Sequence, residues 1–235
     1  MPSDDHGDAM LKIRLTALAL VMMLSGSTSA RVYATSEQDT IRGCGYTDYG
    51  DYEPKEPRSL RSLPKSIQSK LVAHLRSRLG DEVYGRLRLD GGQIVNLDRL
   101  YEEEPDAREY EWVIPIYLLH FAIDLGLDPV EHYCAEISLD AAGNVLEELA
   151  LPRSADDPGK LAIISKARAF EVAALHGVPA ERAWAELVYA PASDCLEWLV
   201  VYKSEEHLST FRERVLHLNA VDPSKYRWTE QVGDY

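Results

Sequence analysis

The residues best equipped for chemistry are His120, Asp124, Glu131 and His132, a short polar group around an expected turn. Imidazoles beside carboxylates can act as base, acid or metal ligand. Catalysis also needs a nucleophile, a substrate clamp or a full ligand set. The chain has no Gly-x-Ser-x-Gly elbow, Walker loop, dinucleotide fingerprint or His-Glu-x-x-His. The four residues therefore read as ordinary surface charges, and the expectation is no catalytic residue, no cofactor and no metal. The rival expectation is a small exported hydrolase or metal-dependent enzyme centred on His120 and His132. His132 and Cys134 are two apart, but no Cys-x-x-Cys pair completes a zinc site.

Three cysteines, Cys44, Cys134 and Cys195, leave one thiol over after any single pairing. Cys134 with Cys195 is one expected pair, since both fall in expected strands; Cys44 with either is the other. Disulfides persist outside the cytoplasm, and the N-terminus points there. Lys12 and Arg14 precede an apolar run from Leu15 to Leu24, then small residues through Ala30. That is the layout of a secretory signal cleaved after Ala30. The run is about half the ~20 residues a spanning helix needs, and no later segment is apolar enough to span a membrane. Residues 1–9 are acidic for such a leader, so Met10 is the alternative start. The expected location is periplasmic or secreted.

Of 235 residues, 46% are hydrophobic and 27% charged, ordinary values for a globular chain. The formal net charge is −14. Residues 1–30 hold Asp4, Asp5 and Asp8 against Lys12 and Arg14, which leaves −13 on the remainder. Such a surface repels phosphate backbones, so no nucleic acid is expected. It suits a soluble protein or a basic partner.

Residues 31–60 read as a flexible tail, with Tyr46, Tyr49 and Tyr52 recurring beside Asp48, Asp51 and Glu53. A helix is expected over 64–79, with Pro64 in its first turn, Ile67, Leu71 and Leu75 on one face, and Gly80 as the stop. Val83–Leu89 and Ile94–Leu100 read as strands of a hairpin turning at Asp90-Gly91-Gly92. Tyr101–Asp106 reads as an acidic loop. Strands follow at Tyr110–Phe121, with Pro115 marking an edge or bulge, at Glu131–Leu139 and at Val145–Leu149. A second helix spans Lys160–His176, ended by Gly177 and Pro179. Strands are expected at Ala183–Tyr189, Cys195–Tyr202 and Arg214–Ala220, and the last fifteen residues read as irregular.

This order repeats. Each half has a helix ending in glycine, a Glu-Trp strand (Glu111-Trp112, Glu197-Trp198) and a strand closing in Leu139-Asp140-Ala141 or Leu218-Asn219-Ala220. The expected fold class is α+β: two helix-plus-antiparallel-sheet units, 61–152 and 153–235, an internal duplication. Trp112 and Trp198 are the expected core anchors. The helix Ile164–Gly177, the strand Glu197-Trp198-Leu199-Val200, Leu218-Asn219-Ala220 and Asp140-Ala-Ala-Gly143-Asn-Val145 resemble a PepSY-type module, with a cystatin-like shape as the related alternative. Asp222-Pro223 departs from the glycine turn of that pattern. The resemblance covers about half the chain and implies a non-catalytic module, linked in that family to protease inhibition or envelope regulation. The expected function is therefore an exported non-catalytic binding or regulatory protein of the cell envelope, acting through a sheet surface on a protein partner. The oligomeric state stays open.

Overall fold

The structure, a computed structural model, describes residues 52–110, 113–127, 132–206 and 210–234. The expected signal, Cys44, Tyr46, Tyr49, Glu111, Trp112 and Glu131 lie outside the described residues.

Helix α1, Lys65–Arg86, starts directly behind Pro64. Its buried stripe is Ile67, Leu71, Leu75, Leu79 and Val83, each four residues from the last. The helical geometry breaks at Gly80 (φ 78°), as expected of a stop, but resumes to Arg86. The expected strand from Val83 is thus helix for its first turn. Val83 continues the apolar stripe, and core burial outweighs its β preference. Residues 154 and 155 supply partners at the break. Both their amides donate to the Arg78 carbonyl, and Ser154 Oγ donates to Leu79 O. A Cβ at Gly80 would stand 3.3 Å from Ala155 Cα, so the crossing chain needs glycine there.

The first sheet is an antiparallel meander in the order β1-β2-β3-β4, with β1 Leu87–Ile94, β2 Tyr117–Ile123, β3 Tyr133–Leu139 and β4 Val145–Glu147. Asp90-Gly91-Gly92 is not a hairpin turn. It lies inside β1, where the register slips between Leu89 and Gly91. The glycines serve a bulge and a close approach instead: a Cβ on Gly92 would stand 2.2 Å from Leu118 O. The expected strand Ile94–Leu100 and acidic loop are replaced by two short helices, α2 Leu97–Glu103 and α3 Pro105–Glu109. Asn96 caps α2 through Arg99 N, Pro105 opens α3, and Arg99 pairs with Glu102 and Glu103 at helical spacing. Pro115 precedes β2 rather than interrupting it.

The second sheet is also a meander, β5-β6-β7-β8, with β5 Ala183–Ala190, β6 Cys195–Glu206, β7 Thr210–Asn219 and β8 Tyr226–Asp234. The terminal segment expected to be irregular is therefore the edge strand. Its alternation of Tyr226 and Trp228 with Arg227 and Thr229 carries the period of a strand. Helix α4, Lys166–Leu175, starts later than expected because Pro158–Leu161 forms a separate 3-10 turn. Ser165 caps it through Arg168 N. Gly177 (φ 83°) ends it, with Val178 N bonding back to Ala173 O and Gly177 N to Ala174 O.

The architecture is α+β, with two similar units of a helix and a four-stranded antiparallel sheet. One hydrophobic core runs through both, from Leu75, Leu119 and Ile137 to Val172, Leu187, Trp198 and Leu216. Trp198 is 1% exposed, and its indole N–H donates to Ile164 O at 3.0 Å. Among the described residues, no helix is long and apolar enough to cross a membrane.

Candidate functional site

Strand β2 is buried along its whole length, so both faces of the first sheet are covered around it. One face meets α1 through Leu119, Phe121 and Ile123. On the other, Leu118 packs with Val95 and Leu100. His120 shares that second face, because side chains alternate along a strand. It stands opposite Glu136, and its Nε2 approaches Glu136 Oε2 to 3.3 Å without hydrogen-bond alignment.

Of the residues selected from the sequence, Glu131 lies outside the described residues, and His120, Asp124 and His132 do not converge there. Asp124 closes a turn by accepting from Gly126 N at 2.7 Å, and its carbonyl accepts from Arg86. His132 lies four residues from Glu136, about 13 Å along the strand at ~3.3 Å per residue. It meets Asp90 and Cys134 instead, with one ligand-type atom from each within 4.8 Å of the others. Cys134 is disulfide-bonded, and a disulfide sulfur has no thiolate to give a metal. Cys195 carries a free thiol, 3.1 Å from Ser193 Oγ. The expected Cys134–Cys195 bridge therefore does not form: Cys195, on β6 of the second sheet, keeps its thiol.

A second polar group is buried between the units. Arg78 on α1, 7% exposed, donates to Glu148 Oε2 at 2.8 Å, Leu151 O at 2.7 Å and the Tyr189 hydroxyl at 3.0 Å. Tyr189 donates to Asp194, which also receives Lys160 Nζ at 2.7 Å and Arg153 N at 3.0 Å. Burial pushes the Asp194 carboxyl up, but the hydrogen bonds from Lys160, Arg153 and Tyr189 outweigh it and hold the group below its ordinary value. This network joins residues of both units and works as a clasp.

The third group lies on the outer face of the second sheet. Helix α4 packs its Ala169, Val172 and Ala173 against the inner face, with Leu187, Trp198, Val200 and Leu216. Glu197 points the other way, together with its same-face neighbours Leu199 and Val201 and with Trp184 and Val188 across β5. The β6-β7-β8 register brings Glu197, His217 and Thr229 into a diagonal row. Glu197 Oε2 lies 3.1 Å from His217 Nδ1 and 2.9 Å from Arg227 Nη2. His217 Nε2 lies 2.8 Å from Thr229 Oγ1. A carboxylate only accepts, so Nδ1 carries the ring proton, and in the neutral ring Nε2 accepts from the threonine hydroxyl. The His217 hydrogen bond, joined by the Arg227 charge, holds the Glu197 carboxyl below its ordinary value against the opposing effect of burial.

The sequence carries no direct signal of this row. Glu197, His217 and Thr229 are too far apart in the chain for any local motif, and only the pairing register unites them. The usable signal was indirect: an antiparallel meander with Trp198 inside must turn Glu197 outward.

Comparison with protein-family models, with curated proteins and with solved structures finds no match for this chain.

Proposed function

We propose that the chain is an exported binding or regulatory protein of the cell envelope that holds a protein partner on the outer face of its second sheet. The observation supporting this is the character of that face. Trp184 is 51% exposed, beside half-buried Leu199 and buried Val188, Val201 and Val215. These valines belong to neither hydrophobic core cluster. Glu186 and Glu197, both buried, lie among these side chains on the same face, and an exposed tryptophan over such a mixed β-branched and acidic floor can anchor a partner that brings a cation to it. The first sheet offers no equivalent, since β2 is covered on both faces. The net charge of −13 on residues 31–235 favours a partner with a basic surface. The test is recovery of a stoichiometric envelope partner on the mature chain and its loss in Trp184→Ala. A partner bound equally by both proteins would remove this face from the proposal.

A further inference from the structure

We propose that Thr229, His217 and Glu197 form an acyl-transfer centre on the outer face of the second sheet, taking esters of small carboxylic acids. This goes beyond the binding reading and does not rest on it. The defining geometry of an activated hydroxyl is nucleophile to base, and base to orienting carboxylate, each within hydrogen-bond reach. Here the contacts are 2.8 Å from Thr229 Oγ1 to His217 Nε2 and 3.1 Å from His217 Nδ1 to Glu197 Oε2. Other histidines meet carboxylates: His74 reaches Glu148 at 2.6 Å and His120 reaches Glu136 at 3.3 Å. Among the described contacts, only His217 also meets a hydroxyl on its second ring nitrogen.

The surroundings fit these roles. The side chains of His217 and Glu197 are 13% and 11% exposed, so base and carboxylate are shielded. Thr229 is half-buried on the edge strand β8, where an incoming carbonyl can reach it. Arg227 precedes Thr229 by two residues and shares its face, about 7 Å along the strand. Its side chain is 53% exposed, and one nitrogen, Nη2, anchors Glu197. The guanidinium reaches across β7 to Glu197 and so fixes the carboxylate that orients His217.

In the first step Thr229 Oγ1 bonds to the carbonyl carbon and its proton passes to His217 Nε2. The carbonyl π electrons move to oxygen, and Glu197 holds the imidazolium. Collapse of this adduct breaks the ester C–O bond. The leaving alcohol takes the proton from His217, and Thr229 carries the acyl group. Water then attacks that acyl ester while His217 takes its proton. The carboxylic acid departs and the hydroxyl is restored. The sum is ester plus water to acid plus alcohol, with no redox change and no cofactor. A secondary hydroxyl crowded by its own methyl selects small acyl groups, and an open sheet face excludes little water, so turnover is slow.

The experiment uses the mature chain, residues 31–235, with p-nitrophenyl acetate as probe, all proteins carrying Cys195→Ser to remove the free thiol. Thr229→Val removes the hydroxyl and keeps the shape. Glu197→Gln keeps the size and removes the charge that orients His217. The expected result is nitrophenol release at least about tenfold above Thr229→Val, short of the ~10²–10⁴-fold range of a positioned base because the open sheet face admits water. One acetyl group should map to Thr229 in the trapped protein. Glu197→Gln should lower the rate and flatten its rise with pH, at unchanged near-UV circular dichroism. Release by Thr229→Val at the parent rate, or acetyl found only on lysines, would overturn the proposal.

Discussion

Replacing Arg78 by methionine tests how the two units are held together. Methionine fills most of the same space but donates nothing. The exchange removes the charged hydrogen bond to Glu148 and leaves the Leu151 carbonyl and the Tyr189 hydroxyl without their donor. A hydrogen bond to a charged group contributes about 1.5–3 kcal/mol, and a buried acceptor left unmet costs about 1–3 kcal/mol. Glu148 is 40% exposed, so water recovers part of its loss. The expected net cost is about 3 kcal/mol, a factor of about 150 in the folding equilibrium. For a chain of this size that lowers the melting temperature by roughly 6–12 °C. Urea unfolding followed by tryptophan fluorescence and by far-UV circular dichroism gives both stability and cooperativity. One transition is expected in the parent protein, because one core runs through both units. A cycle with Tyr189→Phe should show a coupling of at least about 1 kcal/mol. A loss below about 1 kcal/mol with no coupling would mean that apolar contacts alone join the units. Two separate transitions in the parent would refute the single core.

Two further outcomes follow from the structure. Gly92→Ala should cost at least about 2 kcal/mol, because its Cβ would meet Leu118 O at 2.2 Å with φ at +141°; Gly91→Ala, with open space around it, should cost well under half of that in the same urea titration. Acid should destabilise the fold through Glu197 and Asp194, whose folded pKa values lie below the ordinary 4.5 and 3.8. Their contribution is complete above those ordinary values and is lost as pH falls through the lowered ones. Melting temperatures measured from pH 6 to pH 2 should therefore fall less steeply for Glu197→Gln than for the parent.

The elements that were legible in the sequence are those whose local pattern and tertiary role agree. The stripe Ile67–Leu71–Leu75 marked α1, and Gly177 with φ 83° marked the end of α4. The Asp140 turn was legible because the Asp140 side chain accepts from Ala142 N and Asn144 N within the same short segment. The misreadings arose where a local signal served a distant contact. Asp90-Gly91-Gly92 has the composition of a hairpin turn, but its glycines answer to the backbone of β2 passing over them. Ile94–Leu100 and the acidic run after it became helical through Asn96, Pro105 and the Arg99 pairs, which a β-rich composition conceals. The candidate site was the least legible part. His120 and His132 are near neighbours in sequence yet stand apart on the first sheet. Glu197, His217 and Thr229 are scattered over three strands and meet through register alone.

The most direct measurement of the binding role is a side-by-side capture from envelope extract on tagged residues 31–235, parent and Trp184→Ala, at low and moderate salt. Protein mass spectrometry and a titration of the recovered partner give identity and affinity. Trp184 is 51% exposed, so its truncation should leave the fold intact while costing about 2 kcal/mol of binding, roughly thirtyfold in affinity. The expected result is one stoichiometric partner with a basic surface, retained by the parent at moderate salt and depleted on the variant. Equal retention by both, or no stoichiometric partner on the parent at either salt, would contradict a binding role for the second sheet's outer face.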